Sequence, residues 1–276
     1  MPPEIPNLRH LLAFKEVAQN KGVSAAAVRV HLSQPAVTQA IAGLEKKLGL
    51  VLFDRRPEGM FLTALGQTFL FRVQRLFAHL SEGATLASRA ATRRNRSQNS
   101  GFYKKVSASH LRALIAVWEV GNFTLAARQV GISQPSIHRA ARDLEKLAGT
   151  PFFTTSRHGV ELTHAAEHFA RAVKLAMAEL QQGFDEITQS RGQDSTRIFI
   201  GSMPLSRTSI LPQATHALLS ENHGVQVSYV DGPYEELLRG LRYGELDFLI
   251  GALRDPAPTG DVVQEPLFDD PLAVVA

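Results

Sequence analysis

Residues 32–49 read LSQPAVTQAIAGLEKKLG, and residues 132–149 read ISQPSIHRAARDLEKLAG. In each copy a serine, Ser33 or Ser133, precedes Gln-Pro, so its hydroxyl can cap a helix. That helix carries Pro35 or Pro135 in its first turn, where a missing N–H costs nothing. Val37, Ile41, Leu44 and Leu48 recur at i, i+4, i+7 and i+11, which predicts one buried face. Gln34, Ala36, Thr38, Gln39 and Ala42 lie away from it. The second copy places Gln134, Ser136, His138, Arg139 and Arg142 outward and is richer in arginine.

The repeat extends in both directions. Upstream, LRHLLAFKEV at 8–17 matches LRALIAVWEV at 111–120; downstream, LTALGQ at 62–67 matches LTHAAE at 162–167. The offset is 100 from Ser33 onward and 103 upstream, so the first copy carries three extra residues around AQNKG at 18–22. Leu8, Leu11 and Leu12, like Leu111, Leu114 and Ile115, predict a first helix. Ser24 and Thr124 are expected to cap a short second helix, and tight turns follow at His31-Leu32 and Gly131-Ile132. FDRRPEGMFLT at 53–63 and FTTSRHGVELT at 153–163 predict strand pairs around Gly59 and Gly159. Two helices joined by a tight turn, followed by a wing, make a winged helix-turn-helix. Two copies are too few for a solenoid and read as tandem domains.

Charge is distributed unevenly along the 276 residues. Residues 1–100 hold 14 Lys and Arg against 6 Asp and Glu, residues 101–195 hold 11 against 9, and residues 196–276 hold 5 against 11. A basic front suits a polyanion and an acidic back does not. Cysteine is absent, which excludes disulfides, zinc–thiolate sites and cysteine nucleophiles and accords with a reducing compartment. The N-terminus has no signal-peptide pattern, and no charge-free apolar span of membrane length occurs. The expectation is a cytoplasmic protein without membrane contact.

The set SQP, LE, G, F and LT, covering roughly sixty residues per copy, resembles the head of LysR-type transcriptional regulators. Most members of that family carry one head, so the duplication is a departure. After each wing a long helix is predicted, with stripes at Leu65, Phe69, Val73, Leu76 and Leu80 and at Phe169, Val173, Leu180, Phe184 and Ile187. In the resembled family this helix pairs protomers, which implies a homo-oligomer through the linker helices. From residue 196, RIFIG (197–201), VQVSYVD (225–231) and LDFLIG (246–251) alternate with helical segments, a βαβαβ run with a parallel sheet. It resembles the first lobe of the family's periplasmic-binding-protein-like receptor. GSMPLSR, DGPYEELLRGLRYGELDFLIGALRD and EPLFDDPLAVVA are similar to the sugar-responsive branch. Members of the family continue through a second lobe, so the resemblance implies an incomplete receptor at Ala276.

The expected fold is therefore multidomain: two mostly α-helical winged helix-turn-helix domains with long linker helices, then a partial α/β lobe. The expected divisions are 1–63 first head, 64–91 linker helix, 92–105 basic flexible linker, 106–163 second head, 164–191 linker helix and 196–276 effector lobe. For double-stranded DNA, the candidates are Ser33, Gln34, Pro35, Thr38 and Gln39 with Arg55 and Arg56 on the first wing. In the second head they are Ser133, Gln134, Pro135, Ser136, His138, Arg139 and Arg142, with Arg157 on the wing. Gln34 and Gln134 suit adenine and Arg139 suits guanine, while the wing arginines suit phosphates. In an open α/β sheet ligands bind at the carboxyl ends of strands. That rim holds Ser202, Met203, Pro204, Ser206, Asp231, Gly232 and Gly251 as candidates for a small-molecule effector.

Two other readings compete. HAAEH at 164–168 has the H-x-x-E-H spacing of some zinc peptidases, which would make a metal-dependent hydrolase. A regulator lacking its sensor could instead act by pairing with a full-length relative. No ordering of serines, acids and histidines suggests a catalytic triad, and no glycine-rich phosphate loop follows a strand. The leading expectation is a regulator that performs no catalysis and needs no cofactor.

Overall fold

The structure is a computed structural model that describes residues 5–90, 101–157, 159–190, 192, 196–267 and 269. The chain forms two compact units, Met1–Ser195 and Thr196–Ala276. The first head comprises α1 (Leu8–Asn20), α2 (Val23–Val30), α3 (Gln34–Leu48), the hairpin β1 (Phe53–Arg56) with β2 (Gly59–Leu62), and the long α4 (Ala64–Ala90). The second repeats it as α5 (Ala108–Val120), α6 (Phe123–Val130), α7 (Gln134–Ala148), β3 (Phe153–Ser156), β4 (Gly159–Leu162) and α8 (His164–Gln189).

The residues shared by the copies are those that the local geometry requires. Ser33 and Ser133 accept hydrogen bonds from the amides of Ala36 and Ser136. Glu45 accepts from the Leu52 amide, and Glu145 from the amides of Phe152 and Phe153, so α3 and α7 each hold the start of their own wing. Gly49 and Gly149 end the helices in left-handed conformation, at φ 65° and 69°. Thr63 and Thr163 donate to the carbonyls of Val51 and Pro151 and accept from the amides of Gly66 and Ala166, closing the wing onto the long helix.

Each wing is also tied back to the first helix. The carbonyl of Lys21 accepts from the Met60 amide, and that of Gly121 from the Val160 amide. The approach is close enough that a Cβ on Gly159, whose φ is 129°, would stand 2.5 Å from the Gly121 carbonyl oxygen. Lys21 and Gly121 occupy equivalent left-handed caps, and α1 and α5 are both 13 residues long, with Leu11, Ala13, Phe14 and Val17 buried where Leu111, Ala113, Leu114 and Val117 are. The copies therefore keep an offset of 100 through the first helix, and the three extra residues expected around 18–22 are not an insertion: the buried positions, not the best-matching letters, set the register.

Two further sequence expectations need correction. The second helices start earlier than expected, so their N-caps are Gly22 and Asn122, not Ser24 and Thr124. The Asn122 carboxamide reaches the amides of Thr124 and Leu125, which a residue already inside the first turn cannot do. The 92–105 stretch is not wholly a loose linker either. Residues 92–100 lie outside the described residues, but Phe102–Lys105 form a 3-10 turn with Phe102 buried. The Phe102 ring packs 4.8 Å from Phe169 and 6.3 Å from Phe152, and this apolar contact anchors an otherwise polar segment.

The predicted apolar stripes of the long helices are real, and they pack on each other within the chain. Phe69, Val73, Leu76 and Leu80 of α4 are buried, as are Phe169, Val173, Leu180 and Ile187 of α8. The helices run antiparallel: a Cβ on Gly83 would collide with Ala172, while one on Gly183 would touch Phe69 and Arg72 at 3.3 Å. Since 83 and 183 are equivalent positions, the seam has approximate two-fold character, and one core runs through both heads.

A charge network crosses this seam from cations on α4 to anions on α8. Arg72 donates to Glu179 at 2.9 Å and to Glu186, Arg75 donates to Glu179, and His79 lies 3.6 Å from the same carboxylate. The Glu179 side chain is 7% exposed. Burial pushes its carboxyl up, but hydrogen bonds and charges from Arg75 and Arg72 outweigh that and hold its pKa below the ordinary 4.5. A depressed carboxylate pKa stabilises the fold above the unfolded-state value, and this is lost as pH falls through the folded value.

In the second unit β5 (Arg197–Ser202) is central, with β6 (Gln226–Asp231) and β7 (Phe248–Ile250) parallel on either side. Helices α9 (Pro204–Arg207), α10 (Ile210–Glu221) and α11 (Tyr234–Arg242) make the connections, giving the open α/β sheet that the alternating pattern predicts. No helix among the described residues is long and apolar enough to cross a membrane.

Two stability predictions follow from these contacts. Glu179→Gln leaves Arg72 and Arg75 without their shared partner and should cost about 3 kcal/mol at neutral pH. In urea titrations the gap to the parent protein should narrow as pH is lowered below 4.5. Gly159→Ala forces both backbone strain and the carbonyl clash, and should destabilise by about 1–3 kcal/mol in the same assay.

Candidate nucleic-acid interface

The outward faces of α3 and α7 are built as their sequences predict. Gln34, Pro35, Thr38 and Gln39 are exposed on α3, while Val37, Ile41 and Leu44 are buried beneath them. On α7, Gln134, Pro135, Ser136, Arg139 and Arg142 are exposed over buried Ile137, Ala141 and Leu144. Ser33 and Ser133 stand exposed at the N-caps, where free amide groups give helices an affinity for anions. The helix is thereby offered N-terminus first, with its side chains projecting from a rigid support.

The structure separates the candidates that are free to reach a ligand from those already engaged. His138 is half-buried, with its ring stacked 4.0 Å from that of Phe123. Phe123 also packs on Phe153, so His138 helps join α7 to α6 and the wing. Arg142 donates to Glu145 at 2.7 Å, the same carboxylate that holds the second wing. Ser133 and Ser136 share a hydrogen bond at 2.8 Å inside the cap. Arg139 makes no ion pair among the described residues, and its guanidinium keeps its donors for a ligand. The serine pair and the Arg142–Glu145 pair are local i,i+3 contacts on one helix, whereas the His138 stack depends on Phe123, fifteen positions earlier on a different helix.

The wings differ. Arg55 and Arg56 lie exposed on β1; Arg56 pairs with Asp54 at 3.6 Å and covers the Phe61 ring. The hairpin pairs Arg56 with Gly59, leaving Pro57 and Glu58 at the tip. In the second wing Ser156 pairs with Gly159, so Arg157 stands exposed in the turn itself. Tip and strand arginines both suit phosphates, whose recognition needs charge more than fixed geometry.

HAAEH occupies the first two turns of α8. His164 and His168 approach each other to 3.2 Å, with Glu167 3.4 Å from His164. Burial lowers the His168 pKa. Among the described residues no group of three or more His, Cys, Asp and Glu side chains could hold a metal ion.

In the second unit the rim residues do assemble at one end of the sheet. Ser202 pairs across β5 with Asp231 and Ile250, and the Met203 amide donates to the Ile250 carbonyl. Ser206 donates to the Met203 carbonyl, and Gly251 fits closely against the Met203 side chain. Ser202 is wholly buried, and its hydroxyl has no hydrogen-bond partner among the described residues.

The stacking of His138 makes a direct prediction. His138→Ala should lower the stability of the second head by about 0.5–1.5 kcal/mol, measured by thermal unfolding. Thr38→Ala, at the equivalent exposed place in the first head, should be near neutral.

Comparison with known proteins agrees with this construction. Residues 8–67 and 108–167 each match the bacterial regulatory helix-turn-helix proteins of the lysR family, and residues 191–276 match the LysR substrate binding domain. The chain is 32% identical over 273 residues to the HTH-type transcriptional regulator GalR of Pseudomonas putida, covering 99% of this chain and 67% of that protein. It is 26% identical over 172 residues to the HTH-type transcriptional regulator PcaQ of Agrobacterium fabrum, covering 62% of this chain and 55% of that one. The crystal structure of CbnR, a LysR family transcriptional regulator, is similar over 50% of this chain and 46% of its own, at 25% identity and TM-score 0.39. The chain thus spans between about half and two thirds of these relatives' length. These relatives are regulators, not enzymes. With two matched heads and a matched effector lobe, the chain belongs to the LysR family of bacterial helix-turn-helix transcriptional regulators.

Proposed function

We propose that both heads of one chain engage double-stranded DNA, with the outward faces of α3 and α7 in the major groove and the wing arginines on phosphates. The observation that carries this reading is the exposed Gln34, Thr38 and Gln39 face, matched by the exposed Gln134 and Arg139 face, each on a capped and buried-backed helix. The second head contributes more to sequence discrimination, because Arg139 is exposed, has no ion-pair partner among the described residues and can donate bidentately to guanine. Arg142 adds charge from its place beside Glu145.

The lobe is proposed to take a sugar-like effector at the rim of Ser202, Met203, Pro204, Ser206, Asp231, Gly232 and Gly251. The buried Ser202 hydroxyl, unmatched among the described residues, offers a hydrogen bond there, and the Asp231 carboxylate suits hydroxyl donors. Pairing through the linker helices is met first within the chain, since α4 and α8 cover each other's stripes. A homo-oligomer through the same helices would exchange α8 between copies; pairing with a separate full-length regulator would have to displace it.

Salt dependence tests the DNA reading. Affinity for duplex DNA should fall steeply between low and moderate salt, and Arg55→Ala should reduce the slope of log affinity against log salt by about one. Arg139→Ala should cost about 1–3 kcal/mol at one base position, and Gln39→Ala less. Affinity indifferent to salt, or no binding at all, would overturn the reading.

A further inference from the structure

The two-fold seam between α4 and α8 joins unlike halves, and it is built for unlike halves. The cations lie on α4 (Arg72, Arg75) and the anions on α8 (Glu179, Glu186). The places equivalent to Arg72 and Arg75 on α8 are Ala172 and Leu175. An antiparallel pair of two α8 helices would therefore set each buried Glu179 against Ala172 and Leu175, with no guanidinium at the positions that neutralise it. Two α4 helices would face Arg72 and Arg75 with His79. Glu82 would stand in the place of Gln182, which Arg72 reaches at 2.6 Å, but nothing would replace Glu179 for Arg75.

Size repeats the asymmetry that charge establishes. Phe184 stacks on Phe69 across the seam at 6.2 Å, but the equivalent place on α4 is Ala84, fully buried. On that side Phe102, from the segment between the heads, packs on Phe169 instead. A pair of α4 helices would leave Phe69 opposite alanine at both ends, and a core void is destabilising in proportion to its volume.

The heads so joined differ where they would touch DNA. Thr38 and Gln39 stand where the second head has His138 and Arg139, and the Phe123 stack beneath His138 has Val23 in the first head. Symmetric operators mirror symmetric proteins, because like heads read like half-sites.

We propose that the seam of Arg72 and Arg75 on Glu179 and Glu186, with Phe184 and Phe102 filling its two ends differently, commits the two unlike heads to each other in one chain, so that a single chain reads an asymmetric DNA site composed of two different half-sites. This rests on the DNA reading above. The seam acts as a selectivity device: association of two second heads leaves the buried Glu179 carboxylate unpaired, association of two first heads brings Arg72 and Arg75 against His79 with a void beside Phe69, and association of unlike heads satisfies both. The bound unit then has a direction along the duplex, which a symmetric dimer of single-headed chains lacks.

The test selects short duplexes from a random pool with the whole chain and measures the mass of the resulting complex. One chain per minimal site, with two unlike half-sites in fixed order, is the expected result. A palindromic minimal site bound by two chains would overturn the inference while leaving the regulator reading intact. Absence of any selected sequence at low salt would remove the regulator reading itself. The seam is tested separately by charge exchange. Arg72→Glu with Arg75→Glu should weaken binding to the selected site by about tenfold, since the heads would be held together by the connecting chain alone. Adding Glu179→Arg and Glu186→Arg should restore it, together with the cooperative unfolding of the two heads. Failure of the fourfold variant to recover either property would show that the charges do not direct the pairing.

Discussion

The contact on which the first unit depends is the buried carboxylate of Glu179 between Arg72 and Arg75. It lies in the middle of an apolar seam made by Phe69, Val73, Leu76, Phe169, Val173 and Leu180. Hydrophobic burial supplies the attraction between the helices but has little directional preference. The ion network supplies the direction, since a charge taken from water must find its partner or leave the pairing unfavourable. Without it, α4 could pack on another α4 by its apolar stripe alone. With it, the long helices bring the two heads into one body with one continuous core.

Each head in turn is a small closed system. Its wing is a two-stranded hairpin that would be marginal alone. The shared residues solve this by local bonding. Glu45 and Glu145 grip the start of the wing, Thr63 and Thr163 close it onto the long helix, and Gly59 and Gly159 let it lie against the first helix. The residues that mark the family are therefore chiefly those that fold the head. Exposed positions outside this framework are free to differ, as Gln39 and Arg139 do, whereas the change from Thr38 to His138 goes with a change from Val23 to Phe123 beneath it.

The second unit is organised around the carboxyl ends of its strands. Parallel pairing of β5 with β6 and β7 aligns Ser202, Asp231 and Ile250, and Met203 turns the chain from strand into helix at the same edge. An acidic lobe carried behind basic heads keeps the polyanion-binding surface at one end of the sequence.

Periodicity and punctuation determined much of this protein directly. The recognition helices, wings, long helices and βαβαβ run were legible because their signals are local: an apolar face, a cap, a glycine turn or an alternating strand. The exposed candidates Gln34, Gln39, Gln134 and Arg139 were legible for the same reason. Tertiary structure decided the rest. That α4 and α8 satisfy each other within the chain depends on Arg72 meeting residues more than one hundred positions away, which no window of sequence contains. Phe102 was read as part of a polar linker because its partners, Phe152 and Phe169, come from distant elements. His138 has the spacing of a solvent-facing residue on an amphipathic helix, yet it is half-buried on Phe123 of the neighbouring helix, a contact that spacing within α7 does not contain. A helix face can be read from spacing alone, but what covers that face is fixed by the packing of whole elements.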